Sequence, residues 1–243
     1  MKPSRISIGS RRRQAGFTLL ETLISLGIGL FLLGGIVLVM GITRQNFNAQ
    51  SGLSQLQDDQ RIAVGMLVMV VEHAGFFPDP QSRTNTDAFP AAAPTFVSTG
   101  QWVGGSTGTG TASDTLSVRY RQSAAGKANS DFMMDCNGVA NTDLVNPPAL
   151  PSVSTFGLNS SGELTCAVDS KPAQPLSAGI SAFKVLYGVD SDQDGSVDQY
   201  LPASQMTPAL WLLVGSVRVS LTFNNPLDSS RPVTVMRVIN MMN

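Results

Sequence analysis

The sequence has few charges, a single histidine and no visible nucleotide loop, and each shortage excludes a class of protein. Charged residues make up 14% of the 243 residues, against roughly 25% in typical soluble domains. One histidine, His73, leaves a Ser-His-Asp triad or a histidine-ligated metal centre without its parts. No glycine pattern has phosphate-loop or dinucleotide spacing. The sequence therefore predicts a protein that is not an enzyme.

The charges that are present lie unevenly along the chain. The first 16 residues contain five basic residues and no acidic one. Of the 16 basic residues in the whole chain, 11 remain from residue 17 onward against 17 acidic residues, a balance of −6. An acidic body does not attract phosphate backbones, so we expect no nucleic acid partner.

A long uncharged segment follows the basic start. Residues 22–43 are 22 residues without a charge, which as a helix rising 1.5 Å per residue is enough to cross a hydrocarbon layer of about 30 Å. A buried core helix is the weaker alternative, because five positive charges precede the segment. Positive charge stays on the cytoplasmic side. We therefore predict one transmembrane helix, with the N-terminus in the cytoplasm and the bulk of the chain outside.

Glu21 stands at the start of this apolar helix. A carboxylate within hydrocarbon costs several kcal/mol, on the order of 2.5 to 3.5 on insertion scales, unless it has a partner. The alternative is that Glu21 lies at the headgroup level, where a helix N-terminus favours an acidic side chain.

The residues around Glu21 resemble a known processing signal. The segment RRRQAG at 11–16, followed by FTLLE at 17–21 and an apolar helix, is similar to the N-terminus of type IV pilins and related pseudopilins. The resemblance implies that a prepilin peptidase removes the leader 1–16 by cleaving after Gly16, and that the new N-terminal Phe17 is methylated. It also implies that Glu21 pairs with the N-terminal amine of a neighbouring subunit.

That pairing has a physical basis. An amine and a carboxylate on equivalent helices neutralise each other between staggered subunits, in a medium where either charge alone is costly. Head-to-tail contacts of this kind do not close and generate helical filaments. We therefore expect assembly of subunits as well as anchoring in a membrane.

A second apolar pattern extends the helix beyond the membrane. After Arg44 a stripe recurs at alternating spacings of three and four residues, formed by Leu53, Leu56, Gln60, Ala63, Leu67, Val70 and Ala74. Gly75 and Pro78 are stop signals. The predicted helix thus has a transmembrane or filament-core half over 17–43 and an amphipathic half over 44–77.

Beyond residue 77 the pattern changes to short alternating segments, which predict strands at 116–120, 180–187, 217–223 and around 233–235. The Gly/Ser/Thr-rich residues 98–113 are expected to form a surface loop. The predicted fold class is α+β: a pilin-like long N-terminal helix packed on an antiparallel sheet, with a β-rich periplasmic head over 78–243.

Several segments of this head resemble the PilW-type minor pilins. They are DDQR at 58–61, HAGFF at 73–77, DCNG at 135–138, LTC at 164–166 and YGVD at 187–190. The resemblance implies a priming or tip complex with other minor pilins and the major pilin, which starts pilus assembly and supports twitching motility. It also implies that the subunit is first held in the inner membrane with its head in the periplasm, and finally lies on the pilus at the cell surface.

Three alternatives share these features. A pseudopilin of a type II secretion system has an equivalent N-terminus, and a pilus-tip adhesive or binding module would use the glycine-rich and aspartate-rich loops. A plain membrane-anchored protein that is never cleaved, with Glu21 at the interface, is the third.

The two cysteines, Cys136 and Cys166, are too far apart for a C-x-x-C redox or zinc motif. They fall in the part predicted to be periplasmic, where oxidation is permitted, so a disulfide is favoured over two buried thiols.

The segment DSDQDGSVD at 190–198 matches the first nine places of a calcium loop, with Asp190, Asp192, Asp194, Ser196 and Asp198 as candidate Ca²⁺ ligands. The twelfth place is Leu201 rather than glutamate. Weak calcium binding and an Asx-rich hairpin turn are the two alternatives.

Overall fold

The computed structural model describes residues 16, 18–78, 80–110, 112–121, 134–138 and 150–241. The chain divides into two compact units, Met1–Gln50 and Ser51–Asn243. One helix, α1, runs from Leu19 to Glu72 and contributes residues to both units.

The first part of α1 is apolar on every side. The most apolar 18 residues of α1 have a mean hydropathy of 2.6, and none of them is buried. Within a bilayer a helix is favoured because it satisfies all its backbone hydrogen bonds internally. This helix is therefore long and apolar enough to cross a membrane, as the uncharged segment predicts.

The second part of α1 is amphipathic. Ala63, Leu67 and Val70, which belong to the predicted stripe, are fully buried, whereas the Arg61 side chain off the stripe is 82% exposed. The stripe begins to be fully buried only at Ala63, since Leu53 near its start remains exposed. The predicted periodicity is therefore confirmed for the part of the helix that meets the core.

The helix ends at Glu72, earlier than the predicted boundary at residue 77. The Ala74 N–H donates to the Val71 carbonyl at 3.0 Å, which tightens the last turn, and Gly75 has a φ of +85°. The Gly75 N–H then donates to the carbonyl of Arg119 at 3.0 Å, outside the helix. Gly75 ends the helix because only glycine adopts this left-handed backbone without a steric cost.

Nine strands follow a single short helix, α2 (Asn85–Ala88), in the described part of the chain. Their bounds are β1 Val103–Ser106, β2 Thr115–Tyr120, β3 Ser152–Leu158, β4 Leu164–Val168, β5 Gln174–Ser177, β6 Ile180–Val189, β7 Gln199–Leu201, β8 Val214–Phe223 and β9 Val233–Asn240. Four of these, β2, β6, β8 and β9, contain the predicted strand segments.

The strands form two antiparallel sheets, where the sequence analysis predicted one. The first sheet has the order β1-β2-β3-β4-β5 and the second β7-β6-β8-β9. Between β5 and β6 the chain leaves one sheet for the other through Gly179, whose φ is +74°. Alternation along a strand specifies its buried face but not its neighbours, so the division into two sheets was not visible in the sequence.

The core lies between the second part of α1 and the inner faces of both sheets. Leu67 of α1, Phe156 of the first sheet and Phe183 of the second belong to one buried cluster. Tyr187 joins the sheets directly: its O–H donates to the carbonyl of Gly104 at 3.2 Å. Burial raises the pKa of Tyr187, with the Asp114 carboxylate adding to the effect, so the phenol stays a neutral donor.

The residues expected to form a surface loop at 98–113 contain β1 instead, and Trp102 and Val103 are buried. The glycines here serve close packing rather than chain flexibility. A Cβ on Gly104 would lie 2.7 Å from the Thr95 carbonyl oxygen, and one on Gly105 would collide with the Tyr187 hydroxyl. The glycines of this segment thus allow close contact between β1 and its neighbours.

The outer face of the first sheet is covered by the segment that follows α1. Arg119 on β2 is 1% exposed and donates to the carbonyls of Pro90, at 2.6 Å, Phe89 and Gln101. Its guanidinium also lies 4.3 Å from the ring centre of Phe96. Burial lowers the pKa of Arg119 to about 10, so the cation persists at neutral pH and holds the covering segment on β2.

Candidate assembly site

Thr18 starts α1 and positions the first turn. Its carbonyl accepts the N–H groups of Glu21 at 3.0 Å and Thr22 at 3.2 Å. Its side-chain oxygen accepts the Glu21 N–H at 3.3 Å. Thr18 is therefore the N-cap residue, and Glu21 occupies the third helical position. The sequence analysis did not assign Thr18 a role, although the T-x-x-E pattern at 18–21 is the signature of such a cap.

Glu21 lies exposed in this first helical turn. A carboxylate there interacts favourably with the N-terminal end of the helix dipole, by about 0.3 to 1 kcal/mol. The local geometry therefore favours an acidic residue at this position of the helix. It also leaves the carboxylate accessible to a cation from outside the chain. Gly16 is likewise exposed, and Phe17 lies outside the described residues.

The apolar part of α1 presents large side chains outward all round. Phe31 is 80% exposed and Val37 67%. The polar side chains in this part bond to their own helix: the Ser25 hydroxyl donates to the Glu21 carbonyl and the Thr43 hydroxyl to the Val39 carbonyl, each at 2.8 Å. Such local bonds remove the cost of placing a hydroxyl in an apolar medium. The surface is suited to lipid or to other apolar helices.

A disulfide joins Cys136 and Cys166, the predicted pair, with a Cα–Cα distance of 6.2 Å. Both residues are fully buried in the core cluster. Cys166 lies on β4 opposite Phe156, so the bond ties the described residues 134–138 to the inner face of the first sheet.

The aspartate-rich segment 190–198 connects β6 to β7 as a hairpin loop. The carboxylates of Asp190, Asp192 and Asp194 each have an oxygen within 4.8 Å of the others. Asp198 is not part of this cluster, and its carboxylate accepts the Ser191 N–H at 2.7 Å. The structure thus brings three of the four candidate aspartates together.

The same carboxylates also stabilise the loop itself. Asp190 accepts the N–H groups of Asp194 and Gly195, and Asp194 accepts that of Ser196 at 2.7 Å. These bonds are typical of Asx turns. The twelfth calcium-loop position, Leu201, lies in β7 and pairs with Tyr187, so it supplies backbone pairing rather than a ligand.

His73 follows the end of α1 and contacts the edge of the Tyr120 ring, with 6.5 Å between ring centres. Burial lowers the pKa of His73, and the neighbouring Glu72 carboxylate raises it by less. A half-buried, mostly neutral histidine at a helix end is a packing residue.

Two segments of the chain match known protein families. Residues 11–37 match the prokaryotic N-terminal methylation motif, and residues 157–236 match the family described as type IV pilus-assembly protein W, or PilW. Together the two matches support a PilW-like type IV minor pilin. The PilW match spans β4 to β8 whole, with parts of β3 and β9, and thus includes one cysteine of the disulfide and the aspartate loop.

Among solved structures, the chain is similar to a type IV-like pilin from Thermus thermophilus. The identity is 12%, the TM-score is 0.40, and the alignment covers 77% of this chain and 95% of the other. A comparison with curated proteins finds no match.

The matched methylation motif contains Gly16 and Phe17, the residues predicted for processing, and Glu21, the residue predicted for assembly. Pilins are structural proteins rather than enzymes, and an exposed apolar helix with a prepilin signal fits anchoring in a membrane.

Proposed function

We propose that this minor pilin helps to initiate type IV pilus assembly as part of a priming or tip complex with other minor pilins and the major pilin. One observation carries the proposal: a chain with a prepilin methylation motif also matches a family described as pilus-assembly proteins, over the second half of its head. An exposed apolar helix supports insertion into a bilayer and later into a filament.

Processing by prepilin peptidase starts the proposed sequence of events. Cleavage after Gly16 in the cytoplasm leaves Phe17 as the N-terminal residue, which is then methylated. The amine created there stands one residue before the N-cap Thr18. A positive charge at a helix N-terminus is unfavourable, so the amine is stabilised by a carboxylate from another chain.

Glu21 is the proposed partner of such an amine on a neighbouring subunit. Its exposure in the first turn supports this role. An unpaired amine and an unpaired carboxylate are each costly in a low-dielectric filament core, and pairing them removes both costs. The periplasmic head supplies the contacts that select the partner subunits.

Deletion of the gene in its own host tests the priming role. We expect pilus number and twitching motility to fall sharply while type II secretion stays normal, and a copy restored in trans to recover both pilus properties. Unchanged pili would contradict the priming role. Normal pili with lost secretion would instead support the pseudopilin alternative, and normal assembly with lost surface attachment would support an adhesive tip.

A further inference from the structure

Strand β9 forms an edge of the second sheet with its outer side open. The Met241 N–H donates to the Gly215 carbonyl at 3.1 Å. The backbone N–H and C=O groups of successive residues in an antiparallel strand point alternately to one neighbour and to the other side. Since Met241 bonds to β8, the backbone groups of the other odd-numbered residues, 233, 235, 237 and 239, also bond to β8. The backbone groups of Thr234, Met236, Val238 and Asn240 therefore point away from the sheet, and no hydrogen bond within the described residues engages them.

The other three edge strands in the described part of the head are short, and so are poorly suited to pair with another chain. β7 has three residues, and β5 has four, including Pro175. β1 has four residues and is followed by a contact in which the Ser204 N–H donates to the Thr107 hydroxyl. Proteins usually shorten, cover or interrupt edge strands to prevent pairing with other chains. β9 has eight residues and no proline within them.

Apolar side chains accompany the open edge on both of its faces. On the outer face Met236 is 61% exposed and Val238 45%. On the inner face a groove beside α1 is lined by Val64, Val68 and Met69, with Arg237 of β9 on its rim. A strand added to β9 would continue the sheet over this groove and cover both sets of apolar side chains.

The charges beside β9 indicate the chemistry of that strand. Arg237 stands on the inner face and, within the described residues, makes no ion pair. On the outer face, the guanidinium of Arg218 of β8 lies 4.4 Å from the ring centre of Tyr200 of β7, on the side of β8 away from β9. An incoming strand therefore meets Arg237 on the inner face, beside a groove that also holds Arg61 and Glu72, and this excess of basic side chains favours acidic side chains among apolar ones.

A second copy of this chain does not supply such a strand from its described residues. None of the nine strands contains Asp or Glu. Antiparallel pairing of β9 with itself in the register centred on residue 237 would place Arg237 of one copy opposite Arg237 of the other, and like charges directly opposite each other are destabilising.

We propose that β9 is a docking edge for an extended segment of a different protein, in which apolar residues alternate with acidic ones and which adds to the second sheet as a fifth strand. The backbone of β9 supplies the affinity, and Arg237 selects the partner. This inference does not depend on the priming role, since it concerns the head of the single chain.

Binding of a defined probe tests the proposal. The full chain is placed in phospholipid nanodiscs, and a fluorescein-labelled nine-residue peptide alternating valine with glutamate is titrated by fluorescence anisotropy. The matched control peptide has lysine in place of glutamate, and empty nanodiscs measure binding to lipid. We expect the glutamate peptide to bind at least about tenfold more tightly than the lysine peptide at low salt, with the difference decreasing as salt rises.

Two variants separate edge pairing from surface attraction. Val238→Pro removes an N–H that points outward, leaves the ladder to β8 complete, and should weaken binding of the glutamate peptide by about tenfold. Val238→Thr keeps the N–H and should bind within about twofold of the unchanged chain. Arg237→Glu, whose side chain lies at the exposed groove rim, should reverse the preference between the peptides even if the proline variant fails to fold.

Four results would overturn the proposal: no binding of either peptide above empty nanodiscs, equal binding of both, unchanged binding to a folded Val238→Pro chain, or an unreversed preference in Arg237→Glu. Concentration-dependent self-association that Val238→Pro abolishes would also overturn it, because the occupant would then be a second copy.

Discussion

Large apolar side chains are exposed in the apolar part of α1 and buried in the head. In the apolar part Phe31 and its neighbours are exposed all round the helix. In the head Leu67, Phe156 and Phe183 are fully enclosed by α1 and the two sheets. The head completes its own core, whereas the apolar part of the helix needs lipid or other subunits to cover it.

The start of the helix and the head therefore have different roles. The helix start carries the signal for processing and assembly, which depends on a few residues and on what surrounds them. The head depends on a buried cluster and specific internal bonds. Changes at the start of α1 should therefore affect assembly without affecting folding of the head, and changes in the head core should do the reverse.

The largest expected effect is on assembly, from Glu21→Gln, which keeps the size of the side chain and removes its charge. We expect the variant to be inserted and cleaved normally but to enter pili at least about tenfold less, since the neighbouring amine loses its partner. Immunoblots of sheared pili against membranes, with mass spectrometry of the N-terminus, measure both. Thr18→Ala is the matched control, because it removes the cap, worth about 1 kcal/mol, but keeps the carboxylate. Normal entry of Glu21→Gln would leave Glu21 as an interfacial helix-start residue only.

The second effect is on the head alone, from replacing Cys136 and Cys166 together by serine. Removing a bridge across about 30 residues should lower the free energy of unfolding by about 3 to 4 kcal/mol in the chain-entropy model. Denaturant unfolding of the full chain in detergent measures it, and the amount in the membrane fraction should not change. Lys171→Ser, at an exposed position, should shift stability by less than about 0.5 kcal/mol. A double serine variant as stable as the unchanged chain would show that the head core does not need the bridge.

Arg119→Met should also act within the head. Methionine fills much of the space but leaves the carbonyls of Phe89, Pro90 and Gln101 without their donor, so unfolding should become about 2 to 3 kcal/mol easier. Arg231→Met is the control, because Arg231 is exposed and pairs only with Asp228; its effect should be below about 1 kcal/mol. Equal losses in the two variants would contradict the role given to the buried guanidinium.

The smallest effect concerns the loop between β6 and β7. Three converging carboxylates without a glutamate at the twelfth position should bind Ca²⁺ weakly, with a Kd on the order of 10⁻⁴ to 10⁻³ M. Isothermal titration of the full chain measures this. Asp192→Asn should weaken binding, while Asp228→Asn, in another loop, should not. No heat of binding at millimolar calcium would remove the metal site and leave an Asx-rich hairpin turn.

The same contrast explains how much the sequence could predict. The apolar half of α1 depends on composition and length, so its position was visible directly, and the stripe from Ala63 to Ala74 followed from spacing. The sequences of β2 and β8 alternate regularly between apolar and polar residues, and β6 contains an apolar run, so these three strands were also visible. The processing residues around Gly16 depend on a local motif that needs no fold.

The rest depends on contacts between distant segments. β1 was expected to be part of a loop because Gly104 and Gly105 are weak strand formers, and only the approach of Tyr187 and Thr95 explains them. Three of the four aspartates converge, whereas Asp198 accepts the Ser191 N–H, and the spacing in the sequence did not distinguish the two outcomes. The burial of Arg119 and its bonds to the covering segment could not be predicted from the sequence, since a single arginine in a strand is usually exposed.

The central claim is that the helix start is a processed assembly signal, and the N-terminal residue and intact mass of the protein recovered from membranes test it most directly. In a host with working prepilin peptidase, the account predicts a chain of 227 residues beginning with methylated Phe17, the 243 residues less the leader of 16, and an uncleaved chain when Gly16 is replaced by a bulky residue. Protein that still carries residues 1–16 in the unchanged sequence would contradict the account and leave a membrane-anchored protein that does not enter a filament.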